Sequence, residues 1–290
     1  MNLSQRLQHP DGLREEAVTL ASGSGSLRGV FVEAAEPQTV AVLFLHGWGG
    51  GRCGPHDLLA HLAREIGRAG WSSLRFDFSD RGESDGVDGG VTLDQMGEDA
   101  LAAAAFLQER AACKRLALVG ICSGGNVGIG ILDRLPACDS LFLLSFYPFS
   151  EGDSFGRRSN RTAKAAQGYL RKLGRLSTYR KLVRGAIDFR AIWQVLFGHH
   201  QRDAAQTSER ERVGQSPLDN LRVRPLTVTM IYGDADPDTA ASMQYFRDYA
   251  AEHKLPLAFE VIEGADHNYY SVSHSARLAA AATAFLSGVK

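Results

Sequence analysis

The 290-residue chain has almost no net charge: 32 Lys and Arg face 33 Asp and Glu, a formal −1. With no dominant sign, no overall field gathers nucleic acid or an anionic membrane. No apolar run approaches the roughly 18 residues of a membrane helix, so no span is expected. Met1 to Glu16 is polar and has no apolar segment, so a signal peptide is not expected there either. Cysteine is scarce. Cys53, Cys113, Cys122 and Cys138 make no CxxC pair and no metal-ligand spacing with histidine, so no metal is expected. A reduced, cytoplasmic setting fits them best. Also missing are GxxxxGK[ST] and a GxGxxG entering a helix, which speaks against a nucleotide cofactor. Repeats and low-complexity tracts are absent too.

What is present centres on Val119-Gly120-Ile121-Cys122-Ser123-Gly124-Gly125. An apolar strand from Arg115 to Val119 enters this stretch, and a helical pattern from Asn126 to Leu135 leaves it. A sharp strand-to-helix turn that lifts a side chain off the sheet needs small residues two before and two after its central residue. Gly120 and Gly124 meet that requirement around Cys122. Centring the turn on Ser123 would require Ile121 to be small, which it is not. The nucleophile is therefore expected to be Cys122, with the Ser123 backbone N–H aimed at an oxyanion.

In chain order, Ala17 to Ser22 and Leu27 to Ala34 read as an edge hairpin, and Val40 to Leu45 as a strand buried on both faces. His46-Gly47-Trp48-Gly49-Gly50-Gly51 follows, a flexible loop suited to supplying a second oxyanion donor at the Trp48 N–H. Helices are expected over His56 to Gly70 and over Thr92 to Arg110, the latter capped by Thr92. Strands are expected over Trp71 to Phe78 and Ser140 to Tyr147. Arg81 and the acids near it read as a structural network. After the segment from Pro148 to Pro217, Pro225 to Tyr232 and Leu257 to Ile262 are strands, with helices over Thr239 to His253 and Ser275 to Leu286. This alternation implies a mostly parallel, doubly wound α/β sheet of eight strands, whose ligands bind at the carboxyl ends of the strands.

Cys122, an aspartate cluster and His267 all fall just beyond strand ends. Asp236 is the expected triad acid, with Asp234 as runner-up and Asp238 behind it. His267 is the expected general base. The expected domains are a core of residues 1–148 and 217–290 and a helical lid of residues 149–216. The lid is basic, with no Asp or Glu from Arg157 to Arg184. Its Arg171, Lys172, Arg175, Arg180 and Lys181 form either a solvated face or a docking surface for an acidic partner, such as a phosphopantetheine carrier or coenzyme A.

From about Val40 to Phe285 the chain resembles the α/β-hydrolase superfamily, in which nucleophile, acid and histidine follow in this order. The Gly-Ile-Cys-Ser-Gly-Gly turn is similar to that of cysteine-nucleophile members such as dienelactone hydrolases. The loop from Phe76 to Gly86 resembles serine aminopeptidase-like and acyl esterase branches. The lid resembles that of hydrolases accompanying exosortase or polyketide-type gene clusters. The resemblance implies an α/β-hydrolase fold with a helical lid and no cofactor. It also implies a small-molecule acyl substrate, free or linked to a carrier or to coenzyme A, and a Cys122-His267-Asp236 triad cleaving an ester or thioester. Two alternatives remain: an acyltransferase or cyclase using a carrier-bound thioester, and a non-catalytic binding protein of the same fold.

Overall fold

The computed structural model describes residues 5–35, 39–86, 91–147 and 217–289. The chain divides into two units, Met1–Pro148 with Pro217–Lys290, and Phe149–Ser216. The second unit lies outside the described residues. So do the expected lid and its basic residues Arg171, Lys172, Arg175, Arg180 and Lys181.

In the first unit, the strands are β1 (Arg6–Gln8), β2 (Arg14–Ser22), β3 (Gly25–Glu33), β4 (Val40–Leu45), β5 (Ser73–Phe76), β6 (Arg115–Ile121), β7 (Cys138–Leu144), β8 (Thr227–Gly233) and β9 (Leu257–Ile262). The helices are α1 (Leu58–Arg68), α2 (Leu93–Ala111), α3 (Ser123–Gly130), α4 (Thr239–His253) and α5 (Val272–Gly288). One nine-stranded sheet runs in the order β1-β2-β3-β5-β4-β6-β7-β8-β9. The expected count of eight is corrected by β1, a three-residue strand paired antiparallel to β2. All of β1 is exposed, so no hydrophobic pattern marks it. Pairing from β5 through β9 is parallel, and the first three strands join antiparallel.

Strand periodicity distributes the central strands over two cores. Leu43, Leu45, Leu118, Leu141, Leu143 and Met230 face the layer made by α2, α3 and α4. Val42, Phe44, Ala117, Val119, Phe142, Leu144 and Ile231 face α1 and α5. Leu59, Leu62 and Ile66 place the apolar stripe of α1 against the sheet with no residual exposure. Each such side chain contributes about 1.5–3 kcal/mol by leaving water. Both long flanking helices start on a side-chain cap: Thr92 accepts from the Gln95 N–H at 3.1 Å, and Ser271 from the His274 N–H at 3.1 Å.

Among the described residues, this sheet brings the ends of β4, β6, β7, β8 and β9 to one edge. The loops that leave those ends hold His46–Gly51, Cys122, Tyr147, Asp236 and His267 in turn.

Candidate active site

Cys122 stands between β6 and α3 with φ 54° and ψ −124°. An L-residue there is strained by about 1–3 kcal/mol, so the surroundings must impose the conformation. They do so by close approach. A Cβ on Gly124 would lie 2.1 Å from the Leu45 carbonyl oxygen, and one on Gly120 would lie 2.7 Å from the Gly125 nitrogen. The Cys122 N–H is tied to the Leu144 carbonyl at 2.9 Å. The helix after the turn begins at Ser123, three residues earlier than the apolar pattern indicated, and it ends at Gly130. A short 3-10 turn, Leu132–Arg134, follows.

Asp236 and His267 meet at this edge. The His267 Nδ1–H donates to Asp236 Oδ2 at 2.9 Å. Asp236 is buried, and its Oδ1 accepts from the Asp238 N–H at 3.1 Å. Burial pushes its carboxyl upward, but the bonds from His267, Tyr147 and the Asp238 N–H outweigh burial and hold it below the ordinary value. For His267, burial would lower the pKa. Hydrogen bonds and charge attraction to Asp236 and Cys122 oppose burial and raise it to about 9.

Asp234 has a different task. Its Oδ1 accepts from the Gly264 N–H at 2.6 Å, tying the loop after β8 to the loop after β9. Gly233 tightens the same junction, because a Cβ there would lie 2.1 Å from the Ala265 carbonyl oxygen. Asp238 caps nothing with its side chain; its backbone N–H serves Asp236.

Tyr147 was missed by sequence reasoning. Its hydroxyl donates a short hydrogen bond to Asp236 Oδ2 and lies 3.0 Å from His267 Nδ1. Its ring stacks on the imidazole, with centroids 5.3 Å apart and planes 12° from parallel. Burial and the neighbouring Asp236 carboxylate push the phenol well above its usual range, so it remains a donor. At the end of an apolar run, an aromatic residue reads as core, and no pattern distinguished this one.

The loop after β4 is fixed from below by His46. This fully buried ring donates from Nδ1 to the Gly47 carbonyl at 2.8 Å and accepts the Phe78 N–H on Nε2 at 3.2 Å. Burial lowers its pKa, which suits this neutral tautomer. From above, Arg81 Nε donates to the Trp48 carbonyl at 2.7 Å. Asp77 accepts the Arg52 N–H at 2.6 Å and the Glu83 N–H at 3.1 Å, and it pairs with the Arg52 guanidinium. The Trp48 N–H, expected to be an open oxyanion donor, is engaged: it donates to Ser123 Oγ at 2.5 Å.

The other cysteines have no such setting. Cys113 and Cys138 are buried, and burial pushes the Cys138 thiol up to about 12. Cys53 is exposed. Among the described residues no cluster of His, Cys, Asp and Glu is suited to a metal ion, and no helix is long and apolar enough to cross a membrane.

A sheet with this topology and a strained strand-to-helix turn facing an Asp–His pair defines the α/β-hydrolase class. The model of the alpha/beta hydrolase family matches residues 42–281, and the chain belongs to that family, whose enzyme class is hydrolase. No curated protein matches the chain. An esterase from Pyrococcus furiosus superposes with a TM-score of 0.65 at 16% identity, over 94% of this chain and 89% of its own. A dienelactone hydrolase from Anabaena variabilis superposes with a TM-score of 0.59 at 13% identity, over 98% of this chain and 99% of its own. A serine hydrolase described as lacking a lid, from Xanthomonas campestris, reaches 0.58 at 18% identity, over 94% and 93% of the two chains. At these identities the likeness is one of fold.

Proposed function

We propose that this protein is a cysteine-dependent hydrolase of esters or thioesters, acting through a covalent acyl-enzyme. Cys122 is the nucleophile, His267 the general base and Asp236 the residue that orients and charges the imidazole. The observation that carries this reading is the hydrogen-bonded series Asp236, His267, Cys122 at one sheet edge, with Cys122 held at φ 54°.

In this reading His267 takes the thiol proton, and the charged imidazole favours the thiolate beside it. The sulfur attacks the substrate carbonyl and forms a tetrahedral oxyanion, which the Ser123 N–H and the Trp48 region stabilise. Collapse of the oxyanion breaks the bond to the leaving alkoxide or thiolate, which receives the proton from His267. Water then attacks the acyl-thioester, His267 takes a proton from it, and Cys122 leaves with the proton returned. A thiolate nucleophile suits activated acyl groups and thioester exchange better than amides. A reducing cytoplasm would keep its sulfur, and the other free thiols, available.

The test offers short p-nitrophenyl esters and acyl-coenzyme A thioesters to wild type and Cys122→Ala, with intact-mass detection of the enzyme. The reading expects turnover by wild type, a transient acyl adduct mapped to Cys122, and loss of both in the variant. Turnover that survives Cys122→Ala without an adduct overturns it. An adduct that passes to added amine rather than to water would identify an acyltransferase instead. The noncatalytic alternative gains if neither turnover nor an adduct is detected.

A further inference from the structure

The engagement of the Trp48 N–H leaves the oxyanion site one backbone donor short. The group that engages it is the Ser123 hydroxyl, 2.5 Å away on a side chain only 4% exposed. A serine hydroxyl that accepts one N–H still has its own proton to donate. Among the described residues this hydroxyl makes that one hydrogen bond, so its proton has no acceptor among them.

Its position relative to the Cys122 side chain follows from Gly47. A Cβ built on Gly47 would lie 3.4 Å from Cys122 Cβ and 3.7 Å from Ser123 Oγ. The two side chains therefore border one hollow, which the missing side chain of residue 47 keeps open. The peptide between Gly47 and Trp48 cannot easily turn its N–H elsewhere. His46 Nδ1–H and the Gly50 N–H hold its carbonyl at 2.8 and 2.9 Å, and Arg81 holds the next one.

Building on the proposal that Cys122 is the nucleophile, we infer that the Ser123 side-chain hydroxyl is an oxyanion donor. The Trp48 N–H acts through it, polarising the hydroxyl rather than meeting the substrate oxygen directly. Donation to the hydroxyl oxygen strengthens the hydroxyl as a donor in turn. Ser123 would then contribute twice, through its backbone N–H and its Oγ–H, and would be a catalytic residue without being the nucleophile. No bond to Ser123 forms or breaks. Its proton shifts only within a hydrogen bond as negative charge develops on the carbonyl oxygen.

The test separates attack on a carbonyl from attack on a carbon that develops no oxyanion. In a Cys53→Ser background, which removes the exposed thiol, burst-phase acylation of Cys122 by p-nitrophenyl acetate is compared with its alkylation by iodoacetamide at the same pH. Ser123→Ala is expected to slow acylation about 100-fold and to leave alkylation within about twofold. Ser123→Thr, which keeps a hydroxyl, is expected to recover most of the loss. Acylation that is unchanged or faster in Ser123→Ala would overturn the inference, showing that the hydroxyl merely occludes the Trp48 N–H. Acylation and alkylation falling together would overturn it as well, as a structural effect. A parent protein that alkylates at Cys122 but never acylates would remove the hydrolase reading, and this inference with it.

Discussion

His267 is the residue whose charge state can be followed most directly. Its pKa of about 9 in the folded chain stands above the ordinary value of about 6.5, so folding favours its protonated form. The stabilisation that results is complete below about pH 6.5 and is lost as pH rises through about 9. The difference in Tm between wild type and His267→Gln should therefore shrink between pH 6 and pH 9.5. A difference that grows over that range would show that the proton sits elsewhere. On the proposed mechanism, His267→Ala should also slow iodoacetamide alkylation of Cys122 at pH 7 roughly tenfold, because an unassisted thiol is mostly protonated there. Unchanged alkylation would remove the imidazole from the nucleophile's activation.

How much of the site was legible also depends on the kind of signal each residue left. The strained turn at Cys122 is readable from its two flanking glycines, because the close approaches at Gly120 and Gly124 are steric demands that sequence must meet. Asp236 and Asp234 differ by what lies opposite them in space: an imidazole in one case, the Gly264 N–H in the other. Spacing along the chain carries little of that difference. Tyr147 leaves no such signal, because its contacts with Asp236 and His267 rest on one hydroxyl at the end of a buried aromatic side chain.

At the scale of elements, β4, α4 and β9 run over the expected residues, and α4 stops where Lys254 takes a left-handed conformation. The apolar runs Trp71 to Phe78 and Ser140 to Tyr147 extend past the carboxyl ends of the strands they contain, at Phe76 and Leu144. Phe78, Phe146 and Tyr147 are buried beyond the strands they follow, and burial alone does not mark a ladder. The helix expected from His56 starts at Leu58, because His56 and Asp57 take positive φ in a short 3-10 turn.

The least anticipated tie between elements is Asp99, on α2. It is fully buried and accepts from Ser22 Oγ at 2.7 Å, Ser24 Oγ at 3.0 Å, the Ser79 N–H at 2.8 Å and Gln95 Nε2 at 3.2 Å. It thus joins α2 to the β2–β3 turn and to the loop after β5. Asp99→Ala strands the buried Ser79 N–H and is expected to lower unfolding stability by about 2–4 kcal/mol, read from urea denaturation. A loss under about 0.5 kcal/mol would mean that water replaces the carboxylate. Gly233→Ala should be as costly, because its new methyl meets the Ala265 backbone. On the proposed mechanism it should also depress turnover in whatever stays folded, since that junction joins the loops that carry Asp236 and His267.

For the whole molecule, the two-core sheet was legible because parallel strands buried on both faces leave long apolar runs, whereas β1 is short, exposed and charged and leaves none. The same sheet explains how residues more than a hundred positions apart meet: each comes from a different strand, and all five strands end on one side.

The positive φ at Cys122 bears on what such a chain has been selected for. Glycine would occupy that backbone conformation without strain, so Cys122→Gly should be more stable than Cys122→Ala by about 1 kcal/mol, measurable as a higher urea midpoint. If endurance alone had shaped the sequence, a third glycine would stand between Gly120 and Gly124. On the proposed mechanism, the sulfur atom there marks a position where natural selection has accepted a weaker fold in return for reactivity.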